Sequence, residues 1–244
     1  MEEKEAVLRE SFEQFGVSLT DTQSQQFLKF AEMLVEWNQR MNLTAITDFR
    51  EIIWKHFIDS ISICKSRNVS RETLVSKMID VGCGAGFPGI PLKILFPDIK
   101  LTCLDSVAKR MLFLQEVIKE CKLKNVTVIH GRAEDFGQDA KFREQYRICV
   151  SRAVANCSTL SEYCLPFVQP GGIFVAYKAG QAQEEIAEAR KAIKVFGGEL
   201  ETAEEFTIQG SDLRRTFVIC RKVQHTPKKY PRKAGLPEKS PIRG

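Results

Sequence analysis

Lys77-Met78-Ile79-Asp80-Val81-Gly82-Cys83-Gly84-Ala85-Gly86-Phe87-Pro88-Gly89-Ile90-Pro91 decides how this chain reads. An apolar strand runs into three alternating glycines, and a proline-started helix is predicted to follow. Glycine at 82, 84 and 86 removes every second Cβ, so the backbone can turn sharply and approach a ligand closely. Pro88 suits a first helical turn, where its missing N–H costs nothing. The helix start then offers free N–H groups to polar ligand atoms. The stretch reads as a nucleotide-type ligand site at the end of a first strand.

From Ser76 onward strands and helices alternate. Strands are expected at 77–81, 100–104, 126–130, 147–151 and 173–177, with helices at 90–96, 107–121, 158–168 and 182–196. Pro170-Gly171-Gly172 is a turn signal, and Gly197-Gly198 stops the last helix. Two final strands, 200–208 and 216–223, have no helix between them. The expected fold class is α/β: a Rossmann-like, mostly parallel seven-stranded sheet closed by an antiparallel hairpin. The first 65 residues are helical in pattern. Phe27, Phe30, Ala31, Leu34 and Trp37 share one helix face, which Ser18 or Thr20 could cap. Further helices carry Val7, Leu8, Phe12 and Phe15, and Ile52, Ile53, Phe57 and Ile61. The domain reading is a helical cap over 1–70, a ligand-binding sheet over 71–223 and a basic tail over 224–244.

The 244 residues carry a net charge of +5. From Arg221 to the end, eight Lys/Arg face one acid, so residues 1–220 sum to about −2. The basic character is therefore a tail. Phosphate-rich partners are one reading of it and a solvated end the other. Thr226-Pro227-Lys228-Lys229-Tyr230-Pro231-Arg232-Lys233 suits an extended RNA-binding arm, with Tyr230 stacking on a base. On that reading its removal weakens RNA binding and leaves cofactor affinity intact. Eight single cysteines with no Cys-x-x-Cys give no metal site and no disulfide framework. No apolar run reaches membrane length, and the acidic start lacks a signal-peptide core. A cytoplasmic protein without membrane association is expected.

In open α/β sheets, ligands sit beyond the carboxyl ends of the strands. Asp80 precedes the first glycine. Asp105, followed by Ser106, ends the second strand, where an acid accepts ribose hydroxyls. Arg132-Ala133-Glu134-Asp135 follows the third, placed for an adenine edge. Gly84-x-Gly86-x-x-Gly89 also matches a dinucleotide fingerprint, so an NAD dehydrogenase stays open. Three features favour S-adenosyl-L-methionine: an acid beside the glycines that would repel pyrophosphate, the helical cap, and the closing hairpin. Arg152 ends the fourth strand and could hold cofactor or target base. His56 and Asp59, one turn apart, face the cleft or make a structural bond. Asn42 caps or holds a loop. Lys178 contacts phosphate or is solvated, and Cys157 reads as a core thiol.

Taken together, Asp80–Pro91, Leu104-Asp105-Ser106-x-x-Lys109-Arg110, Arg132-Ala133-Glu134 and Ser151-Arg152-Ala153-Val154-Ala155 resemble a known family. Trp37-Asn38-x-x-Met41-Asn42-Leu43-Thr44 and His56-Phe57-x-Asp59-Ser60 precede them. The order is that of the glucose-inhibited division protein B family, bacterial methyltransferases of small-subunit ribosomal RNA. The resemblance spans almost the whole chain. It implies a class I methyltransferase acting on N7 of one guanine in the 530 loop of 16S rRNA, free or within the small subunit. It also implies cofactor positions at Gly82, Phe87, Ala133, Glu134 and Arg152. Phe87 stands where some relatives have leucine, which keeps an apolar wall. Guanine N7 has a free lone pair, so no general base is expected. The fourth strand ends in Ser-Arg-Ala, without the Asn-Pro-Pro-Tyr associated with exocyclic amines or the Pro-Cys of a cytosine C5 nucleophile. Methylation of another substrate, or an RNA-binding module holding the cofactor structurally, are the alternatives.

Overall fold

A computed structural model describes residues 2–180 and 182–244. Seven strands form one sheet in the order β3-β2-β1-β4-β5-β7-β6. They are β1 (Lys77–Val81), β2 (Lys100–Asp105), β3 (Val126–His130), β4 (Tyr146–Arg152), β5 (Val168–Ala179), β6 (Gly198–Thr207) and β7 (Arg214–Lys222). Pairings from β3 through β5 are parallel, and β7 runs antiparallel to both β5 and β6. The expected fold class is therefore the observed one. The order reverses at β1, where chain connections leave toward β2 on one side and β4 on the other. That switch point opens a crevice at the carboxyl ends of the strands.

Helices cover both faces. They are α1 (Glu2–Gln14), α2 (Asp21–Met41), α3 (Phe49–Ile52), α4 (Asp59–Ile61), α5 (Arg71–Leu74), α6 (Gly89–Leu95), α7 (Ala108–Glu120), α8 (Ala133–Phe136), α9 (Cys157–Cys164), α10 (Gln183–Val195) and α11 (Leu236–Lys239). Thr20 is the cap of α2, closing a reciprocal capping box with Gln23. Between α3 and α4, Ile53–Ile58 form a π-helical turn, so the single expected helix there is locally widened.

Side chains alternate between the sheet faces. Met78, Leu101, Ile148, Val175 and Ile219 share one core with Phe12, Phe27, Phe30 and Phe57 of the cap. Ile79, Val81, Cys149 and Phe174 pack instead against Leu160, Ala189, Ile193 and Phe196 of α9 and α10. The cap is tied on by aromatic contacts, Phe12–Phe27 at 4.8 Å, Phe27–Phe57 at 5.0 Å and Phe30–Phe87 at 5.3 Å between centroids.

Two expectations change. The turn signal Pro170-Gly171-Gly172 lies inside β5, where the ladder skips from Tyr146↔Val168 to Ile148↔Ile173. A proline lacking its N–H is tolerated at such an irregularity. The basic tail, in turn, is folded back on the body. Arg232 makes a pair with Glu162, whose side chain is 1% exposed, at 2.6 Å. Tyr230, assigned above to base stacking, packs edge-on against Phe196 at 5.1 Å. Buried Lys222 donates to Leu165 O at 2.7 Å and also reaches Thr226 Oγ1. Lys228, Lys229 and Lys233 remain exposed. Among the described residues no helix is long and apolar enough to cross a membrane.

Candidate active site

The glycine loop is held from below and from the side. Gly82, Gly84 and Gly86 all adopt positive φ, +71°, +56° and +98°. At Gly86 the reason is also packing, since a Cβ would sit 2.7 Å from Ile90 and 2.8 Å from Leu114. Helix α6 begins at Gly89, one residue after Pro88. Asp80 is fully buried, and its Oδ2 accepts from Gly89 N–H at 2.7 Å. Its Oδ1 has no partner. Desolvation outweighs the Gly89 bond and raises its pKa to about 7. Asp80 therefore clamps the loop onto α6 from beneath, and the structure does not bring it to the ligand side as expected.

Asp105 and Glu134 do reach the crevice. Asp105 Oδ2 accepts from Gly84 N–H at 2.9 Å and Oδ1 from Val107 N–H at 2.8 Å. Arg110 lies 3.4 Å from Oδ2. A cleft of about 280 Å³ is bounded by Gly82, Asp105, Ser106, Ala133, Glu134 and Val154, with Tyr163 and Glu238 also on its wall. Its donor set suits an adenosyl group: two buried carboxylates accept from hydroxyl and amine, and Val81, Leu104 and Val154 supply an apolar surface. Of the expected cofactor residues, Gly82, Asp105, Ser106, Ala133 and Glu134 converge here. Gly84 and Gly86 shape the loop, and Phe87 and Arg152 lie elsewhere.

Phe87 does not border that cleft. It is 7% exposed and stacks on His56, 4.4 Å between centroids, with the Arg152 guanidinium 5.0 Å from its ring. It thus lines up the residues of a second cavity, about 340 Å³, bounded by His56, Asp59, Arg152, Tyr177, Lys178 and Arg215. Ala153, at φ +57°, borders both spaces and forms the partition between them.

The ionisable groups around this second cavity are paired, except that His56 Nδ1 is buried without a partner. Asp59 accepts from Arg152 at 2.7 Å and from Arg215 at 2.6 Å. His56 Nε2 lies 2.8 Å from Thr44 Oγ1. Burial, and then the charge of Arg152, lowers the His56 pKa to about 4, so the ring is neutral at physiological pH. Lys178 pairs with Glu185 at 2.6 Å and donates to Ala155 O at 3.0 Å. Asn42 caps α2 in the left-handed region at φ +49° and is exposed; its neighbour Asn38 accepts from Thr44 N–H at 2.9 Å. Asn42 thus turns the loop that brings Thr44 to His56. Cys157 is buried at the start of α9.

Sequence reading missed Thr44, Arg215 and Tyr177. Arg215 meets Asp59 across 156 positions, and nothing local distinguishes it from Arg214. Tyr177 donates to Ser60 O at 2.9 Å, fixing the cap to β5.

A family model described as rRNA small subunit methyltransferase G, GidB, matches residues 23–215. Ribosomal RNA small subunit methyltransferase G of Acetivibrio thermocellus is 49% identical, over 99% of this chain and 100% of its own. Its namesake in Brevibacillus brevis is 50% identical over 93% and 94%. Among solved structures, a putative O-methyltransferase from Klebsiella pneumoniae matches with a TM-score of 0.54 at 15% identity, covering 80% of this chain and 90% of that one. A chain from the complex between the Haloferax volcanii Trm112 methyltransferase activator and the putative methyltransferase gives 0.55 at 12%, covering 78% and 98%. These structural likenesses concern the fold, a Rossmann-like methyltransferase sheet. Sequence shared along nearly the whole length, on that fold, makes this chain a member of the GidB family of ribosomal RNA small subunit methyltransferases.

Proposed function

We propose that this protein transfers the methyl group of S-adenosylmethionine to N7 of a guanine in the decoding region of 16S rRNA. One observation supports the choice of atom: the groups beside the second cavity that could take a proton are poor bases. Asp59 lies between two guanidiniums, and His56 is neutral with a pKa of about 4. Guanine N7 bears a lone pair and no proton at neutral pH, so nothing has to be removed from it. An exocyclic amine or a hydroxyl acceptor would need a base here.

S-adenosylmethionine, when bound, supplies a methyl group on a sulfonium, which is electrophilic. Asp105 would accept from the ribose hydroxyls, and Glu134 from the adenine amine. The Gly82 backbone allows close approach, and Val154 gives an apolar contact. Arg152, Arg215 and Lys178 offer N–H donors to the O6 and phosphate oxygens of the acceptor. Ala153, which borders both cavities, puts only a methyl group between them. Catalysis then rests on holding donor and acceptor in line, where ~7–11 kcal/mol of the barrier can come from orientation. Membership of the family supports an RNA acceptor; the atom and the position rest on chemistry and resemblance.

Small subunits reconstituted with 7-deazaguanosine at the target keep the base edge but replace N7 by C–H. The expectation is normal binding with no methyl transfer. Methylation of that RNA would remove N7 from consideration. Turnover to S-adenosylhomocysteine that ignores rRNA would favour another substrate, and binding without turnover a non-catalytic RNA-binding module.

Asp105→Ala removes a charge-assisted acceptor from the cleft. It should weaken S-adenosylmethionine binding roughly ten- to a hundredfold while the protein stays folded. Unchanged calorimetric affinity in Asp105→Ala would refute the assignment.

The third expectation concerns pH. His56 stays neutral down to about 4, whereas an unfolded histidine protonates near 6.5. Between these values the unfolded chain binds more protons, so the contribution of His56 to stability is full above 6.5 and lost as pH falls toward 4. Because guanine N7 has no proton to lose, the single-turnover rate should separately show no limb from a catalytic base between about pH 6 and 9. A steep rise near pH 6.5 that vanishes in His56→Ala would make His56 a base and overturn this reading.

A further inference from the structure

The C-terminal segment lies beyond residues 23–215, which the family model matches. Its course is fixed by three latches before it reaches the cleft. Glu144 accepts from Thr226 N–H at 2.7 Å. Arg143 donates to Thr226 O at 2.6 Å and Tyr230 O at 2.7 Å, while Gln138 donates to Pro231 O at 2.8 Å. Arg232 then engages Glu162 through its backbone N–H at 2.8 Å and its guanidinium at 2.6–3.1 Å.

Past the third latch the chain turns at Gly235, φ +82°, and its N–H donates to Glu134 Oε1 at 2.8 Å. Glu134 is 3% exposed and has no other hydrogen-bond partner among the described residues. Pro237 O accepts from Thr159 Oγ1 at 3.3 Å, and Glu238 reaches the cleft wall. The segment that follows the stretch read as an RNA arm thus forms, in space, part of the boundary of the cleft.

We propose that residues 233–240 are a built-in wall of the donor site, in which the Gly235 N–H is a positioning group that aims Glu134 at the adenine amine. The proposal rests on the reading of the cleft as the adenosyl site. A carboxylate holding one backbone N–H is fixed in orientation, and its remaining oxygen can accept from an amine. Without the tail, Glu134 loses that bond and the cleft loses one side. The earlier expectation, cofactor affinity independent of the tail, is reversed. The exposed Lys228, Lys229 and Lys233 stay available to phosphate in either case.

The test compares the full chain with a truncation after Arg232, which keeps all three latches and removes Gly235 and Glu238. Calorimetry with S-adenosylhomocysteine and with its 6-oxo analogue, S-inosylhomocysteine, reads both affinity and selectivity for the amine. Truncation should raise the Kd for S-adenosylhomocysteine roughly ten- to a hundredfold and shrink its preference over the 6-oxo analogue. In a Glu134→Ala background the same truncation should cost clearly less, because the part exerted through Glu134 is already gone. If the truncated chain does not melt cooperatively, Gly235→Val keeps the tail's length but strains the left-handed turn at φ +82°, where a side chain meets open space, and so shifts the same N–H from Glu134; the same losses are expected. Unchanged affinity and preference in the folded variants would overturn the proposal, as would full additivity with Glu134→Ala. A full chain that binds neither compound would overturn the reading of the cleft itself, and the proposal with it.

Discussion

Asp59 between Arg152 and Arg215 is the interaction on which this architecture turns. The carboxylate comes from the cap, one guanidinium from the end of β4 and the other from β7, with bonds of 2.7 and 2.6 Å. Asp59 is 3% exposed, so the three charges are largely removed from water. Such a buried arrangement adds little net stability over an apolar one of the same volume, but losing one partner leaves a stranded charge. Its consequence here is positional. It fixes how the cap meets the sheet, holds Arg152 over Phe87, and leaves Asp59 no role as a base.

The same joint orders the two cavities. The donor cleft lies over β1–β3, where two carboxylates and the glycine loop converge. The second lies between the cap and β4–β5. Ala153 separates them, two residues beyond the buried Ser151, whose Oγ donates to Val81 O at 2.8 Å. β4 is thereby hydrogen-bonded to the end of β1 through a side chain as well as through the ladder. Both cavities thus border one hydrogen-bonded strand end, which suits the proposed reaction, whose barrier falls mainly by alignment.

Much of the fold was legible because its signals are local. Strand β1, the glycine loop and Asp105 fall within 29 residues, and the helix faces repeat at short spacing. The Thr20 capping box was readable for the same reason. What escaped is non-local. Glu162 meets Arg232 across 70 positions, so charge alone read the tail as an RNA-binding arm or a solvated end. Phe87 was named as a cofactor position from the family resemblance alone; its stack on His56, which lies in a π-helical turn, is announced by no periodicity. Asp80 was read as facing the ligand from its place beside the loop, yet the pleat turns it toward α6.

The central claim is methyl transfer to one guanine N7 of small-subunit rRNA, made by alignment without a base. Its most direct measurement is nucleotide-resolution mapping of N7-methylguanine in 16S rRNA from cells with and without this protein. The account expects one N7-methylguanine in the decoding region to disappear without the protein and to return when the purified protein and S-adenosylmethionine are added to the deficient small subunits. An unchanged N7-methylguanine map, or restoration of a methyl group on a different atom, would contradict it.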